Sequence, residues 1–187
     1  NVGFEEFNIT PTVETGSYIL KEYLKEYNIN SYVEEQSIKE ILNTNNWKYG
    51  SSYRASRLLL IEAKNKYSTL NYFIDIHRDS GLKNVTTTTF NNQNYARLLF
   101  IIGLENKNYL QNENLANKIN DEVKAINPNL TRGILEKQGL GVNGVYNQDF
   151  NSNTILIEVG GEYNSLEEVN NTMKILANVL NKVINNE

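Results

Sequence analysis

Short apolar segments with the composition of β-strands alternate with longer segments of helical spacing along most of this chain. The strand-like segments cover residues 72–76, 96–102, 132–136 and 154–159. Apolar residues recur at helical spacing over residues 14–27, 50–66, 112–126 and 165–184. This alternation predicts an α/β fold in which a twisted, largely parallel sheet is flanked by helices.

Local signals extend this prediction. Ser37 precedes Glu40 and Ser165 precedes Glu168 at the spacing of a capping box, which predicts a helix start after each serine. The tripeptide Ser31-Tyr32-Val33 predicts a further short strand, and the polar run 86–90 is also prone to β-structure.

Composition excludes several classes of protein. A length of 187 residues with 40% hydrophobic residues suits one domain over residues 1–187. The net charge of -4 argues against nucleic-acid binding, which needs a dense basic face. Without cysteine the chain has no disulfide and no thiol nucleophile, and no apolar run is long enough to span a membrane. Because the chain does not begin with Met, we expect it to be a piece of a longer protein.

The only histidine of the chain, His77, follows the apolar strand Tyr72-Phe73-Ile74-Asp75-Ile76 directly. No other side chain has an unperturbed pKa near neutrality, so His77 is the candidate centre of any hydrolytic or metal chemistry. Asp75 shares its strand face and suits a supporting hydrogen bond, and Arg78, Asp79 and Ser80 suit substrate contact. The alternative is a histidine that packs at a strand end without a catalytic role.

Glu158 interrupts the apolar strand 154–159 with a carboxylate. Burial of a carboxylate is costly unless the carboxylate is paired. Burial also raises the pKa of the carboxyl group toward the range that a general acid or base needs. Like His77, Glu158 lies where the carboxyl ends of parallel strands form a ligand-binding crevice. The alternatives are a solvated strand face, or an ion pair with Arg132 or Arg97.

Two weaker groups of polar residues lie in the glycine-rich second half of the chain. Arg132 lies between Thr131 and Gly133, and Asn147 and Gln148 follow a run of glycines. Both groups suit the binding of substrate amides or carboxylates, but ordinary turns have the same composition.

The twelve tyrosines occupy mostly apolar helical positions, which predicts that they pack in the core.

Several motifs together resemble the stage II sporulation protein P family of cell-wall hydrolases. The similar segments, in order, are Gly50-Ser51-Ser52-Tyr53-Arg54-Ala55-Ser56-Arg57, Phe73-Ile74-Asp75-Ile76-His77-Arg78-Asp79-Ser80, Arg97-Leu98-Leu99-Phe100-Ile101-Ile102-Gly103, Thr131-Arg132-Gly133-Ile134, Tyr146-Asn147-Gln148-Asp149 and Leu156-Ile157-Glu158-Val159-Gly160-Gly161. Their order and approximate spacing agree over nearly the whole chain.

The resemblance implies a zinc amidase-like fold and a zinc-dependent N-acetylmuramoyl-L-alanine amidase with additional endopeptidase activity on peptidoglycan. His77 would be a Zn²⁺ ligand, and Glu158 would be the catalytic carboxylate that activates water and protonates the leaving amine. The resemblance also implies sporulation, an extracytoplasmic location, an upstream membrane anchor, and a partner enzyme that cleaves glycan strands.

One part of the family pattern is absent. Family members carry an upstream strand that ends in a His-Thr-His type segment followed by a Glu, and this chain has no such segment. We therefore expect the catalytic domain to be incomplete at its N-terminus, without its first strand, and to bind zinc poorly. Glu5 or Glu6 is a candidate to replace the absent carboxylate, but no residue of the chain replaces the absent histidine.

Two other functions are alternatives to the zinc hydrolase. One is a non-catalytic domain that binds cell wall or a partner, and the other is a metal-independent hydrolase with His77 as its base.

Overall fold

The four segments with the strongest strand pattern assemble into one sheet. The computed structural model describes residues 12–185. Its helices are α1 Val13–Glu26, α2 Ile38–Thr44, α3 Ser52–Lys66, α4 Lys83–Thr86, α5 Tyr109–Ile126 and α6 Leu166–Asn185. Its strands are β1 Phe73–Asp79, β2 Thr87–Phe90, β3 Gln93–Ala96, β4 Leu98–Gly103, β5 Thr131–Lys137 and β6 Thr154–Gly161. The α/β class is confirmed.

The sheet is mixed rather than largely parallel, which corrects the sequence prediction. Its strand order is β1-β6-β4-β5, and β2 and β3 form a separate hairpin. The outer pairs β1·β6 and β4·β5 are parallel, but the central pair β4·β6 is antiparallel. A parallel connection needs a crossover, which α5 provides between β4 and β5. Between β1 and β4 the chain contains the hairpin instead, and β4 runs opposite to β1.

The two faces of the sheet are covered differently. Alternate residues of β4 and β6 pack into the main core beneath α1, α5 and α6, with Phe100, Ile157 and Leu176 fully buried. The opposite face carries a smaller cluster of Leu99, Ile101 and Leu156, with Tyr53 and Tyr146 packed against it. Because side chains alternate along a strand, Glu158 belongs to the face of the smaller cluster.

The predicted helix starts are present in the structure. The Ser165 hydroxyl accepts a hydrogen bond from the Glu168 backbone N–H at 3.2 Å, and the Glu168 carboxylate accepts one from the Ser165 N–H at 2.8 Å. This reciprocal capping box fixes the start of α6. The Ser37 hydroxyl likewise accepts from the Glu40 N–H at the start of α2.

The predicted strand at Ser31-Tyr32-Val33 is wrong, because this segment has no regular structure. The Tyr32 ring packs on the Tyr67 ring with centroids 5.2 Å apart. The Glu34 carboxylate then accepts hydrogen bonds from the next two backbone N–H groups. Side-chain contacts of this local kind compete with the ladder of a strand.

Gly160 has a conformation and an environment that only glycine suits. Its φ is +64°, and an added Cβ would lie 2.8 Å from the Ala96 Cβ. Its backbone N–H donates to the Arg97 carbonyl at 2.9 Å. This hydrogen bond lies two residues after Glu158 and joins the end of β6 to Arg97, which directly precedes β4.

We expect Gly160→Ala to lower the free energy of unfolding by about 3 kcal/mol, because left-handed strain and overpacking add. Urea unfolding measures the change. Gly139→Ala is the matched control, since Gly139 has a φ of +88° with no atom within 4 Å of an added Cβ. The control is expected to cost about 1 kcal/mol, from strain alone. Equal small losses in both variants would contradict the packing described for Gly160.

Candidate active site

The register of two parallel strands places His77 beside Glu158. In the β1·β6 pair, Asp75 lies opposite Leu156 and His77 lies opposite Glu158. On its other side, Glu158 lies opposite Leu99 of β4. Paired residues point to the same face of a sheet, so the imidazole and the carboxylate share the face of the smaller apolar cluster. The structure thus brings together the two residues that the sequence nominates independently.

A carboxylate of the same strand fixes the imidazole of His77. The His77 Nε2 lies 3.1 Å from the Asp75 Oδ1, and both side chains are about two-fifths exposed, at 42% and 41%. Burial lowers the pKa of His77, but the hydrogen bond and charge of Asp75, together with the charge of Glu158, raise it above its ordinary value. Such a bond sets the tautomer and leaves Nδ1 available to a ligand.

Glu158 is half-buried and has no ion-pair partner among residues 12–185. Burial and the negative charge of Asp79 raise its pKa, against the opposing effects of Arg132 and His77. The expected upward shift of this pKa is therefore found. A carboxyl group whose pKa lies closer to neutrality is suited to both accept and donate a proton.

The environment of Asp79 favours the ionised carboxylate, in contrast to that of Glu158. Its carboxylate forms an ion pair with the Arg132 guanidinium and accepts the Gly81 N–H at 3.0 Å. Burial raises the pKa of Asp79, but the hydrogen bond from Arg132, backbone N–H groups and the Arg132 charge lower it below its usual range. Arg132 is thus paired with Asp79, and not with Glu158 as one alternative supposed.

Arg97 does not pair with Glu158 either. Its guanidinium donates to three backbone carbonyl oxygens, those of Asn129, Val85 and Thr131, at 2.9 to 3.1 Å. Arg97 therefore links the segments that contain Val85, Asn129 and Thr131 beside the start of β4. No positive side chain among the described residues neutralises Glu158 by direct contact.

Arg78 and Ser80 alternate with His77 and Asp79 along the chain. Arg78 is exposed, and its position between His77 and Asp79 in the strand directs its side chain to the opposite face of β1. Ser80 is exposed just beyond the end of β1. Three residues were expected to contact substrate here. The structure places Asp79 beside Glu158, Arg78 on the other side of the sheet, and Ser80 beyond the end of the strand.

Asn147 and Gln148 have internal hydrogen-bond partners. The Asn147 Nδ2 donates to the Tyr53 carbonyl and the Ser56 Oγ, both at 2.9 Å. Gln148 is fully buried, accepts the Gly103 N–H at 2.9 Å and donates to the Ile101 carbonyl at 2.7 Å. These contacts join residues 147–148 to α3 and β4, and they place the Gln148 amide out of reach of a ligand.

Two tyrosines border the site, although the sequence pattern predicts tyrosines in the core. Tyr53 of α3 and Tyr146 pack against Leu99, Ile101 and Leu156, with ring centroids 5.3 Å apart and planes at 82°. Burial raises the pKa of Tyr53, and the charge of Asp75 adds to this rise. The sequence signal for Tyr53 is its place in the segment Gly50-Ser51-Ser52-Tyr53, which is part of the resemblance to the family.

The donor set of the described residues does not by itself fit a zinc site. Residues 12–185 contain no group of three or more His, Cys, Asp or Glu side chains arranged to hold a metal ion. His77 provides one imidazole nitrogen, whereas catalytic zinc sites use three protein ligands. Glu5 and Glu6, the suggested substitutes for an absent carboxylate, lie outside the described residues.

The fold and the site define an α/β domain in which a histidine and a half-buried carboxyl group of raised pKa lie opposite each other on neighbouring strands. The family model for Stage II sporulation protein P (SpoIIP) matches residues 7–181. The chain is also 35% identical over 160 residues to Stage II sporulation protein P of Bacillus subtilis (strain 168), covering 86% of this chain. The chain belongs to the stage II sporulation protein P family.

The match covers a limited part of that relative. The aligned region is 40% of the length of the Bacillus subtilis protein. No solved structure matches the chain. Within residues 12–185, none of the helices has the length and apolar character that crossing a membrane requires.

We expect the pKa of His77 to fall in the Asp75→Asn variant. Removal of the carboxylate leaves burial as the main effect, and burial disfavours the charged imidazolium. In the wild type the raised pKa contributes stability that is fully present below the unfolded-state pKa and is lost as pH rises through the folded-state pKa. The lone histidine gives one set of imidazole resonances, so an NMR titration measures its pKa directly.

The matched control for this titration is Asp121→Asn on α5, whose carboxylate lies 3.6 Å from Lys124 and has no part in the His77 environment. The control is expected to leave the His77 pKa unchanged. An unchanged pKa in Asp75→Asn would contradict the contact between Asp75 and His77.

Proposed function

We propose that this chain is a peptidoglycan hydrolase that cleaves the amide bond between N-acetylmuramic acid and L-alanine, and also amide bonds of the peptide cross-links. The observation that carries the proposal is Glu158, a half-buried carboxyl group of raised pKa without an ion-pair partner among the described residues. It lies in register with the only histidine of the chain. Perturbed carboxyl groups of this kind concentrate at functional sites.

Glu158 would carry the proton transfers of amide hydrolysis. As a carboxylate it would accept a proton from the attacking water, and as the acid it would return that proton to the leaving amine nitrogen. Burial and the charge of Asp79 favour the protonated form, whereas Arg132 and His77 favour the ionised form. The net effect is a raised pKa, which brings the carboxyl group closer to the range in which it can alternate between the two states.

His77 would be one ligand of a zinc ion, with its orientation fixed by Asp75. The contact at 3.1 Å between Nε2 and the Asp75 carboxylate is the usual support for a metal-binding imidazole. The remaining ligands would have to lie outside residues 12–185, because the described side chains do not complete the set.

Family membership supports peptidoglycan as the substrate and sporulation as the setting. The name of the Bacillus subtilis relative refers to stage II of sporulation. We propose an extracytoplasmic location for the protein, with any membrane anchor upstream of this domain. We also propose a partner enzyme that cleaves the glycan strands, since removal of stem peptides and cleavage of glycan are complementary steps of wall degradation.

A second candidate is a non-catalytic domain that binds peptidoglycan or a protein partner. It is favoured by one observation: residues 12–185 contain no group of three or more His, Cys, Asp or Glu side chains arranged to hold a metal ion. Co-sedimentation with purified sacculi, without release of stem peptides, would favour this candidate. Hydrolysis that resists a chelator would instead favour a metal-independent enzyme with His77 as its base.

We expect Glu158→Gln to reduce the release of stem peptides from purified sacculi by about 10²- to 10⁴-fold, the usual contribution of a general acid or base. The amide is similar in shape to the carboxyl group, so the pairing of this strand position with Leu99 is preserved. Mass spectrometry of the soluble products measures the release. Glu167→Gln, at an exposed position in the first turn of α6, is the control and is expected to keep full activity. Equal activity of both variants would eliminate Glu158 as the catalytic group.

We expect this chain to bind zinc more weakly than complete structural sites, which provide roughly 10 kcal/mol or more of binding free energy. The physical reason is the single imidazole of the chain. Isothermal titration calorimetry measures the affinity, and His77→Asn is expected to remove the binding that remains. Asp121→Asn serves as the control. Tight stoichiometric zinc binding that survives His77→Asn would contradict the assignment of His77 as a ligand.

A further inference from the structure

Tyr53 borders the candidate site, where it packs on the apolar cluster beside Glu158. It is half-buried near the start of α3, on the face of the sheet that carries Asp75 and Glu158. After burial, the charge of Asp75 raises the pKa of Tyr53, and Glu158 also contributes to this rise. The phenol is therefore neutral at physiological pH and is available as a hydrogen-bond donor.

The Tyr53 ring is fixed by packing. It contacts the apolar cluster of Leu99, Ile101 and Leu156, which adjoins Glu158 on two strands. Tyr146 meets it in an edge-to-face arrangement with ring centroids 5.3 Å apart. Aromatic pairs in this geometry attract each other beyond their burial of apolar area.

The backbone that presents Tyr146 is strained and strongly held. Tyr146 and Asn147 have φ values of 53° and 56°, a left-handed conformation that residues other than glycine rarely adopt. The Asn143 side chain accepts the backbone N–H groups of Val145 and Tyr146, at 3.1 and 2.6 Å. Strain of this kind persists only where surrounding contacts impose it, and it concentrates at functional sites.

Side-chain contacts lock α3 to the same loop. The Asn147 amide donates to the Tyr53 carbonyl and to the Ser56 hydroxyl. One turn further along α3, the Arg57 guanidinium binds the Asp149 carboxylate at 2.6 and 3.2 Å. Four polar contacts thus hold the first turns of α3, which carry Tyr53, against this loop.

The Tyr53 hydroxyl has no hydrogen-bond partner within the described fold. Among the hydrogen bonds of residues 12–185, that of the Tyr53 backbone carbonyl to Asn147 is present, but none involves the phenol oxygen. By comparison, the Tyr23 hydroxyl on the opposite side of the sheet donates to Asn170 at 3.2 Å. A rigid, neutral and unpartnered donor beside a candidate acid-base group is positioned to meet a ligand.

We propose that Tyr53 contacts the substrate, with its hydroxyl donating a hydrogen bond to a carbonyl oxygen of the bound amide, and that Tyr146 is a positioning residue that orients the Tyr53 ring. This inference rests on the proposed function for the chemical class of the ligand. It assigns a residue of α3 to a site otherwise formed by β1 and β6.

The test combines binding and hydrolysis. The probe is N-acetylmuramoyl-L-alanyl-D-isoglutamine, added to protein labelled with ¹³C at the tyrosine ζ carbon. The Tyr53 resonance, assigned by its absence in Tyr53→Phe, is expected to shift when the probe binds. Tyr53→Phe is expected to weaken probe binding by about tenfold, as for loss of one hydrogen bond, and to lower the rate constant for hydrolysis by about 10²-fold. Tyr23→Phe is the control for loss of a hydroxyl elsewhere.

The positioning role of Tyr146 has its own readout. Tyr146→Ala is expected to impair binding, because the Tyr53 ring loses its neighbour, whereas Tyr146→Phe keeps the ring and restores binding. The melting temperature of Tyr53→Phe is expected to equal that of the wild type, since no hydrogen bond within the described fold is lost.

The outcomes separate this inference from the proposed function. A shifted Tyr53 resonance and weaker binding by Tyr53→Phe, without any hydrolysis by the wild type, would support the inference and count against the hydrolase. Hydrolysis by the wild type with equal binding and equal rates in Tyr53→Phe would overturn the inference and leave the hydrolase standing. Absence of probe binding by the wild type would also overturn it.

Discussion

The parallel pairing of β1 with β6 determines where the functional groups of this domain meet. It sets His77 opposite Glu158, and the main core determines its register because Ile155, Ile157 and Val159 of β6 are buried on the other face. A slip by one residue would send Glu158 into that core and turn the apolar residues outward. The packing of the main core therefore holds the candidate active site together.

Electrostatic differences between two neighbouring carboxyl groups follow from that arrangement. Asp79 has the Arg132 guanidinium and backbone N–H groups, which lower its pKa, whereas Glu158 has burial and the Asp79 charge, which raise its pKa. When environments shift two nearby acids in opposite directions, one stays ionised and the other can exchange protons. Arg132 thereby affects Glu158 in two ways: its own charge lowers the pKa of Glu158, and it keeps Asp79 negatively charged, which raises that pKa.

Much of this arrangement was predictable from local patterns. Apolar runs identified the four strands of the main sheet, and the spacing of Ser165 and Glu168 identified the start of α6. An acidic residue in an apolar strand identified Glu158, and the presence of a single histidine identified His77. Each of these signals depends on neighbours in the chain or on a residue type that is rare there.

The remaining features depend on contacts between distant segments. Periodicity does not encode strand direction, so the antiparallel β4·β6 pair was not predictable. Gln148 has the composition of a binding loop but is buried between Gly103 and Ile101, and Tyr53 has the spacing of a core residue but borders the site. In both cases the role is decided by which strand the segment packs against.

The central claim is that His77 and Glu158 act as one unit. A double-mutant cycle of hydrolysis rates with His77→Ala, Glu158→Gln and the combined variant tests it most directly. If the two residues serve the same step, the double variant should be no slower than the slower single variant, because groups that act together are strongly non-additive. Independent effects that multiply in the double variant would contradict a shared site at the ends of β1 and β6.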